Sequence, residues 1–483
     1  MINLKTIYKV LGALLFIESA LLTVCLVMAF AYEEDDTVAF LLTLGVTSFA
    51  GFMLRYMGRE SDNVLSRRDA YLVVALAWVV FSLFGMLPFI IGGYLHSLTD
   101  AFFEAMSGFT TTGASVLQDV GGLPHGLLFW RSLMQWIGGL GIVFFTIALL
   151  PSFVGGSVKV FAAESTGPIK TKLHPRLSTS TKAIWLVFLL ITLACGGSLY
   201  AAGMDVFNAV NFAMTTAATG GFSSVADTTH FAPRIEYIIT GFTFLAGINF
   251  TLLYATVTRR RLGMLFRSSE FRFYFFAVVA CAAFIAIELI WREGFSIAHA
   301  VRSALTHTVS FITTTGFICD NVASWPHATW AVLALLMFVG ACSGSTSGGL
   351  KCIRGVMLLK VVKNQFRQIL HPNAVLPLRV DGVNVSEGKR VTLLAFLTIY
   401  LLLCLVCSFA MAATGIDPIH AVTITLSCLS NAGPALALDS GDTMSWAVLP
   451  DAAKWLCTAL MLIGRLEIFS VLVIFTPSFW EEN

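Results

Sequence analysis

The sequence predicts an all-α membrane protein with ten transmembrane helices, the last eight of which form four repeats of helix, re-entrant segment and helix. Three observations lead to this fold class. The 483 residues are 57% hydrophobic and 12% charged, whereas soluble globular domains are about 45–50% apolar and about 25% charged. Long apolar runs recur along the whole chain. Four times, between such runs, an alanine is followed twelve residues later by a glycine.

Apolar runs of about 20 residues are long enough to cross the hydrocarbon core as a helix. The first run exceeds the apolar region of a signal peptide, which is about 7–15 residues. A second run follows after a short acidic turn, Glu33 to Asp36, so we interpret the first as a retained helix. The ten predicted spans are 7–31, 37–57, 70–92, 130–151, 182–203, 234–257, 272–291, 328–361, 391–413 and 446–476.

Four short segments lie between the paired later spans. Each is too short to cross the membrane and returns to the side from which it came. Non-helical backbone is tolerated at membrane depth only where it is buried in protein or lines water. The sequence therefore predicts four short helices, each followed by a loop that ends at a glycine. The segments are Ala101–Gly113, Ala209–Gly221, Ala304–Gly316 and Ala421–Gly433.

The spans and segments divide the chain into five predicted units. The first unit holds the two N-terminal transmembrane helices, and the other four are the repeats, the third of which has a broken second helix. Their bounds are 1–68, 69–160, 161–262, 263–370 and 371–483. No stretch is left for a soluble domain, nothing resembles a nucleotide-binding site, and no nucleic-acid partner is expected.

Lysine and arginine residues give the orientation, because cytoplasmic loops carry an excess of them. Most of the 30 basic residues fall in loops that this topology places on one side, among them Arg259 to Arg261. That side is predicted to be the cytoplasm and to hold both termini. All four re-entrant segments then enter from outside.

Every residue near the end of each segment is small, and the glycine is constant. Small residues also allow close helix packing, but packing alone does not explain the repeated spacing. Glycine adopts backbone angles that other residues avoid, so successive carbonyl groups can point toward one axis. Carbonyl rings replace the hydration shell of a cation, and the negative C-terminal ends of the short helices would face the same axis. The predicted cation filter consists of Thr111, Thr112, Gly113, Thr219, Gly220, Gly221, Thr314, Thr315, Gly316, Asn431, Ala432 and Gly433.

Several short motifs carry a family resemblance. They are Thr110-Thr-Thr-Gly-Ala114, Gly138-Gly-Leu-Gly141, Ala163-Glu-Ser-Thr-Gly-Pro168 with Pro175-Arg176, Gly220-Gly-Phe-Ser223, Gly344-Ser-Thr-Ser-Gly-Gly-Leu-Lys351, His371-Pro-Asn-Ala374 and Gly464-Arg-Leu-Glu467. With these motifs the chain resembles, over essentially its whole length, the Trk/Ktr/HKT superfamily of potassium transporters, and within it the bacterial TrkH/TrkG type.

The resemblance implies one subunit whose four repeats surround a potassium-channel-like, pseudo-fourfold pore in the bacterial inner membrane. K⁺ is then the transported ion, and no cofactor is bound by the chain itself. The family usually forms a homodimer, surrounded by membrane lipid. It docks a cytosolic TrkA-like regulatory subunit, which binds NAD or ATP. In plant relatives a serine at the first filter glycine accompanies sodium transport, so Gly113 favours the potassium type by resemblance.

The eighth span contains Gly340 to Gly349, where four glycines interrupt the apolar run. Each interior glycine weakens a helix by roughly 0.5–1 kcal/mol relative to alanine. In the family, the matching segment is a loop that blocks the pore below the filter. A kinked helix with close neighbours is the alternative. The predicted gate residues in this segment are Gly344, Ser345, Gly348 and Gly349.

Arg465 is a second gate residue predicted from the resemblance. It lies inside the last apolar run, and an intramembrane charge is costly enough to indicate a function. The matching arginine of the family projects into the pore below the filter. The alternatives are an ion pair with Glu467 or the capping of loop carbonyl groups.

The predicted function is therefore gated K⁺ uptake without chemistry on a substrate. An H⁺- or Na⁺-coupled K⁺ symporter is the alternative, and it needs a titratable or second-ion site at depth. An intramembrane enzyme would need a nucleophile with a base, or a metal cluster. His299, His307 and His420 lie instead near the starts of the predicted short helices.

Four further charged residues lie in or near the apolar runs. Asp100 and Glu104 are interpreted as N-terminal caps of the first short helix, with the attraction of cations as the alternative. No role is assigned to Arg131 or Glu288.

Overall fold

The computed structural model describes residues 2–61, 65–141, 177–229, 231–374, 376–435 and 445–481. Regular structure in this part of the chain is almost entirely helical. The α-helices are α1 Leu4–Tyr32, α2 Thr37–Met57, α3 Arg67–Gly85, α4 Leu87–Ile91, α5 Leu98–Phe109, α6 His125–Leu140, α7 Leu177–Ala201, α8 Val206–Ala217, α9 Pro233–Ala246, α10 Phe250–Arg259, α11 Gly263–Arg267, α12 Ser269–Arg292, α13 Ile297–Ile312, α14 His327–Val339, α15 Cys352–Leu370, α16 Glu387–Ala413, α17 Pro418–Ser430, α18 Asp451–Arg465, α19 Phe469–Leu472 and α20 Pro477–Trp480.

Short elements complete this part of the chain. Strand β1, Arg379–Val380, pairs antiparallel with β2, Val383–Asn384, in one hairpin. Single turns of 3₁₀-helix occupy Val322–Ser324, Trp446–Val448 and Val473–Phe475.

Six helical stretches of the described residues are long and apolar enough to cross a membrane, or up to eight if each of two bent pairs counts as one span. Helix α2 occupies the predicted span 37–57 to the residue. The outer helices expose large apolar side chains, such as Phe49 at 63% and Phe409 at 68%. A water-soluble surface rarely carries apolar area on this scale, so the chain is a multi-pass membrane protein.

Two predicted spans are wrong as single helices. Span 234–257 is divided into α9 and α10, which meet at 97°, and span 446–476 is divided after α18, with a bend of 109°. The breaks fall at Gly247 to Asn249 and at Leu466 to Ile468. Hydropathy did not reveal them, because each break occupies only a few residues and apolar sequence resumes on both sides.

The other two interruptions lie in the second helices of the first and third predicted repeats. Between α14 and α15, residues 340–351 form no helix, which confirms the predicted interruption. Helix α6 ends at Leu140, and Gly141 follows with φ of 90°. The remainder of the predicted span 130–151 lies outside the described residues.

Short helices occupy all four predicted re-entrant segments, as α5, α8, α13 and α17. Each begins at a residue whose side chain accepts a hydrogen bond from a backbone N–H of the first turn, which is how such residues stabilise helix starts. These caps are Ser97, Asp205, Ser296 and Asp417. The bounds of the five predicted units stay a prediction.

Candidate functional site

The loops that follow the four short helices share one backbone conformation. We call them the first to fourth glycine loops: residues 110–113, 218–221, 313–316 and 430–433. In the first, the Thr111 N–H bonds the Gly108 carbonyl (3.1 Å) and the Thr112 N–H bonds the Ser107 carbonyl (3.0 Å). The other three loops repeat both hydrogen bonds. This pair of bonds is the Schellman motif that ends many helices.

The left-handed position of each motif holds a residue with a side chain. Glycine usually occupies it, since left-handed backbone costs other residues roughly 1–2 kcal/mol. Strain of this kind clusters at functional sites, where the surrounding structure maintains it. The φ angles there are 55° at Thr111, 50° at Thr219, 55° at Thr314 and 56° at Asn431.

The constant glycines lie against one another's loops in a closed cycle. Their φ angles are all positive, from 80° to 92°. A Cβ on any of them would overlap a carbonyl oxygen of the next glycine loop, so a side chain would push two loops apart. The contacts run from Gly113 to Gly220, from Gly221 to Thr315, from Gly316 to Ala432, and from Gly433 back to Thr112. All twelve predicted filter residues are therefore brought together.

Loops one and three, which are opposite in this cycle, have the same internal hydroxyl contact. Thr110 and Thr112 place their Oγ1 atoms 2.8 Å apart, and Thr313 and Thr315 place theirs 2.7 Å apart. Loops two and four lack threonine at these positions. The cycle of glycine loops therefore has approximate fourfold symmetry in its backbone, whereas the symmetry of its side chains is closer to twofold.

The buried side chain of Gln135, on α6, supports the second glycine loop. Its Nε2 donates to the Gly220 carbonyl (2.8 Å), and its Oε1 accepts from the Phe222 N–H (3.0 Å). Sequence reasoning missed this residue. The available signal was a glutamine inside an apolar run, since a buried amide needs partners for both of its ends.

Asn431 has a related role in the fourth loop. Its Nδ2 donates to Thr112 Oγ1 (3.0 Å) in the first glycine loop and to the Met461 carbonyl (2.9 Å) on α18. The amide at this position thus joins the fourth loop to the first, whereas the other loops have threonine there.

A buried ion pair joins the segments that directly follow the first and second glycine loops. Glu104 Oε1 lies 3.0 Å from Arg131 Nε, with side-chain exposures of 0% and 2%. Glu104 also accepts from the Val116 N–H (2.9 Å), just after the first loop. Arg131 donates to the Ser223 carbonyl (2.9 Å), just after the second, and lies over the Phe222 ring.

The capping interpretation of Glu104 is therefore wrong. The cap of α5 is Ser97, while Glu104 lies in the middle of the helix and pairs with Arg131. Asp100 lies in the first turn and contacts Lys454 Nζ at 2.5 Å. Glu288 pairs with Arg292, one turn later on α12.

The predicted histidines are separated. His307 joins α13 to the segment after the third glycine loop: its Nδ1 lies 2.8 Å from the Ser303 carbonyl, and its Nε2 accepts from the Cys319 N–H at 3.3 Å. His299 contacts Asp320 at 3.1 Å, and His420 lies on α17. In the part of the chain that the structure describes, no group of three or more His, Cys, Asp or Glu residues could hold a metal ion.

Residues 340–351, the interrupting loop, lie directly against three of the glycine loops. The Gly348 N–H donates to Thr314 Oγ1 (2.8 Å), and the Gly349 N–H donates to the Ser430 carbonyl (3.1 Å). Thr346 Oγ1 lies 3.1 Å from Thr219 Oγ1. The interrupting loop therefore contacts the second, third and fourth glycine loops at once.

Two predicted gate residues lie at the start of the interrupting loop. The Gly344 carbonyl accepts from the Phe250 N–H (3.0 Å) at the break between α9 and α10. Ser345 Oγ donates to the Cys342 carbonyl (2.6 Å). These residues connect the loop to the broken helix of the second predicted repeat.

Arg465, the last residue of α18, lies under the remaining glycine loop. Its guanidinium donates to Thr111 Oγ1 (3.2 Å) and to the Thr346 carbonyl (3.0 Å). It also donates to the carbonyls of Gly138 and Gly139 at the end of α6. Glu467 forms an ion pair with Arg354. The arginine thus caps loop carbonyls while it touches both a predicted filter residue and the interrupting loop.

Of the motifs that carry the family resemblance, 163–168 and 175–176 lie outside the described residues. The others lie within them.

Comparisons with known proteins agree with one another over most of the chain. The family model for TrkH, described as a cation transport protein, matches residues 37–292 and 293–482. The Trk system potassium uptake protein TrkH of Escherichia coli is 35% identical, over 99% of this chain and 100% of that protein. TrkG of Escherichia coli is 31% identical, over 99% of each. The crystal structure of the potassium transporter TrkH from Vibrio parahaemolyticus has a TM-score of 0.89 at 33% identity, over 99% of this chain and 100% of that chain.

Proposed function

Because this chain belongs to the TrkH family of cation transport proteins, we propose that it is the translocating subunit of a Trk system for K⁺ uptake. The closed cycle of four glycine loops within one chain carries the proposal. We take K⁺ as the transported ion because relatives of this chain are named Trk system potassium uptake proteins. The protein performs no chemistry on its substrate, and it moves K⁺ through a pore at the centre of the cycle.

The filter consists of the twelve predicted residues, which are the last three of each glycine loop, and they offer K⁺ their backbone carbonyls. Ser97, Asp205, Ser296 and Asp417 cap the outer ends of the short helices, so the C-terminal ends meet at the glycine loops. Those ends carry the negative part of the helix dipole, which attracts a cation. The positive φ at the glycines and at the residues two before them turns the backbone so that carbonyls can line the path.

The interrupting loop and Arg465 form the gate. Together they contact all four glycine loops, so an ion that leaves the filter meets the loop backbone and a positive charge. A cation at this position lowers the occupancy of K⁺ in the path beneath the filter by charge repulsion. The loop can adopt its folded conformation because it contains small residues, namely Gly344, Ser345, Gly348 and Gly349.

The protein lies in the bacterial inner membrane, with both termini in the cytoplasm and the short helices entering from outside. The excess of basic residues in the loops on one side supports this orientation. Two copies pair as a homodimer, surrounded by membrane lipid, and a cytosolic TrkA-like subunit binds NAD or ATP and regulates the gate. These assemblies are proposed from the family resemblance.

Glu18 favours a second candidate, an H⁺-coupled K⁺ symporter. This glutamate of α1 is 0% exposed, and neither of its carboxyl oxygens has a hydrogen-bond partner in the described part of the chain. It faces Gly85, next to Phe109 of the first short helix. An ionised carboxylate without partners is very costly in such surroundings, so the group is neutral and carries a proton. Sequence reasoning, which counted few carboxylates in the spans, did not single it out.

Uptake of K⁺, Rb⁺ and Na⁺ into proteoliposomes tests the proposal. The protein should transport K⁺ and Rb⁺ in preference to Na⁺, and Arg465→Ala should raise the unregulated flux, because the positive charge beneath the filter is removed. Unchanged flux in Arg465→Ala would count against the barrier, and the absence of any K⁺ uptake would count against the function. A pH gradient that drives K⁺ uptake in the wild type, but not in Glu18→Gln, would favour the symporter.

A further inference from the structure

We propose that Glu270 holds the two ends of the interrupting loop together, and that the β1–β2 hairpin supports Glu270 from its other side. Glu270 is thus a positioning residue for the gate. This inference rests on the gate role proposed above for the interrupting loop.

One carboxylate oxygen of Glu270 joins the two ends of the loop. Its Oε1 accepts from the Ser343 N–H (2.6 Å) near the start of the loop and from the Ile353 N–H (3.2 Å) just after its end. A buried backbone N–H that loses its acceptor carries the full cost of its desolvation, so these two bonds stabilise the closed position of the loop ends. Glu270 is only 7% exposed and lies in the first turn of α12, where the helix dipole favours a negative charge.

The start of the loop has other supports that do not depend on Glu270. The Cys342 N–H donates to the Gly247 carbonyl (3.0 Å), and Asn249 Nδ2 donates to the Ser343 carbonyl (2.5 Å). These bonds fix the start to the break between α9 and α10.

The returning end is also joined to the start by bonds from the Leu350 N–H to the Phe338 carbonyl (2.9 Å) and from the Cys352 N–H to the Ala341 carbonyl (2.8 Å). Loss of Glu270 should therefore loosen the returning end where it enters α15, without detaching it.

The hairpin contacts both elements that Glu270 connects. Asp381, at the exposed turn of the hairpin, accepts from the Ser269 N–H through its Oδ1 (2.8 Å), one residue before Glu270. Val380 of the hairpin packs in one buried cluster with Ile353 and Met357 of α15. A contact that shifts the hairpin therefore changes the position of α15 relative to the start of α12. This gives a cytosolic partner a physical route to the interrupting loop.

Flux through the full chain in proteoliposomes, without a regulatory subunit, tests the role of Glu270. Glu270→Ala should raise basal Rb⁺ uptake about tenfold, in line with the loss of two buried hydrogen bonds. The preference for K⁺ over Na⁺ should not change, because the glycine loops keep their contacts. Glu270→Gln keeps a carbonyl acceptor and should restore part of the low basal flux. Glu288→Gln, on the same helix, is the matched control and should behave as wild type.

Native thiols report movement of the loop directly. Cys352 begins α15 and is 0% exposed, as is Cys195 on α7, far from the loop in sequence. Glu270→Ala should accelerate maleimide labelling of Cys352, read by peptide mass spectrometry, and leave Cys195 protected. Equal acceleration at both thiols would mean general loosening of the fold and would overturn the positioning role.

Two further variants separate the possible failures. If Arg465→Ala raises flux while Glu270→Ala changes neither flux nor Cys352 labelling, Glu270 does not hold the loop and the proposed function stands. If neither the wild type nor Arg465→Ala transports K⁺, the proposed function itself fails. Asp381→Ala, on the exposed hairpin, should shift flux and labelling in the same direction as Glu270→Ala. If Glu270→Ala folds poorly, Asp381→Ala serves as the test variant in its place. Wild-type behaviour of Asp381→Ala would overturn the role of the hairpin.

Discussion

At the residue scale, Gly113 has no room for a side chain. The carbonyl oxygen of Gly220 occupies the space that a Cβ would need, and the φ of 82° strains any residue other than glycine. We expect Gly113→Ser to open the cycle between the first two glycine loops. K⁺ uptake should fall at least about tenfold, the effect of roughly 1.4 kcal/mol, and the preference for K⁺ over Na⁺ should weaken.

The matched control is Gly197→Ala. Gly197 is an exposed helical glycine with nothing within 4 Å of a Cβ, so the change should leave transport unaltered. Wild-type rate and ion preference in Gly113→Ser would contradict the role of the glycine cycle.

The sequence was sufficient to identify the residues of the predicted filter, but not the left-handed backbone two positions before each glycine. A constant spacing reveals a position that needs unusual backbone angles when glycine is the residue that always occupies it. Thr111, Thr219 and Thr314 meet a similar requirement with a β-branched side chain, which ordinarily avoids left-handed backbone. Their conformation depends on tertiary contacts, such as the bond from the Gly348 N–H to Thr314 Oγ1, which a sequence does not contain.

At the scale of elements, the Glu104–Arg131 pair joins α5 and α6 to the segments that follow two glycine loops. Removing one partner of a buried ion pair leaves an uncompensated charge and costs about 3–5 kcal/mol. We expect Arg131→Met to lower the thermal unfolding temperature of the detergent-solubilised protein by several degrees and to weaken ion preference.

The control is the Lys5–Glu60 pair, whose side chains are 56% and 64% exposed. Exposed pairs contribute about 0–1 kcal/mol to stability, so Glu60→Gln should unfold at a temperature close to that of the wild type. If Arg131→Met were as stable as Glu60→Gln, the buried pair would not hold the two loops.

Helix breaks mark the limit of what hydropathy predicts at this scale. The interruption at residues 340–351 was predictable because four glycines fall together in one run. The breaks after Ala246 and Arg465 were not, since each occupies a few residues and depends on partners elsewhere. The Phe250 N–H, for example, bonds the Gly344 carbonyl of another predicted repeat.

At the scale of the whole molecule, the proposed filter draws carbonyls from four distant parts of one chain. An ion bound there would connect all four predicted repeats, and a ligand that binds only the folded state stabilises it by mass action. We therefore expect the thermal unfolding temperature of the purified protein to rise with K⁺ concentration. At about 100 times the dissociation constant, the stabilisation is about 2.7 kcal/mol. Rb⁺ should act like K⁺, whereas Na⁺ at equal ionic strength should act weakly.

Gly113→Ser and Arg465→Ala separate binding in the filter from other effects of salt. Gly113→Ser should lose the dependence on K⁺, because its first and second glycine loops no longer meet. Arg465→Ala should keep it, since Arg465 donates to Thr111 Oγ1 and to the Thr346 carbonyl rather than to the carbonyls of the proposed filter. Equal stabilisation of the wild type by K⁺ and Na⁺, or an unchanged K⁺ effect in Gly113→Ser, would mean that the cycle of glycine loops is a packing feature without a bound cation.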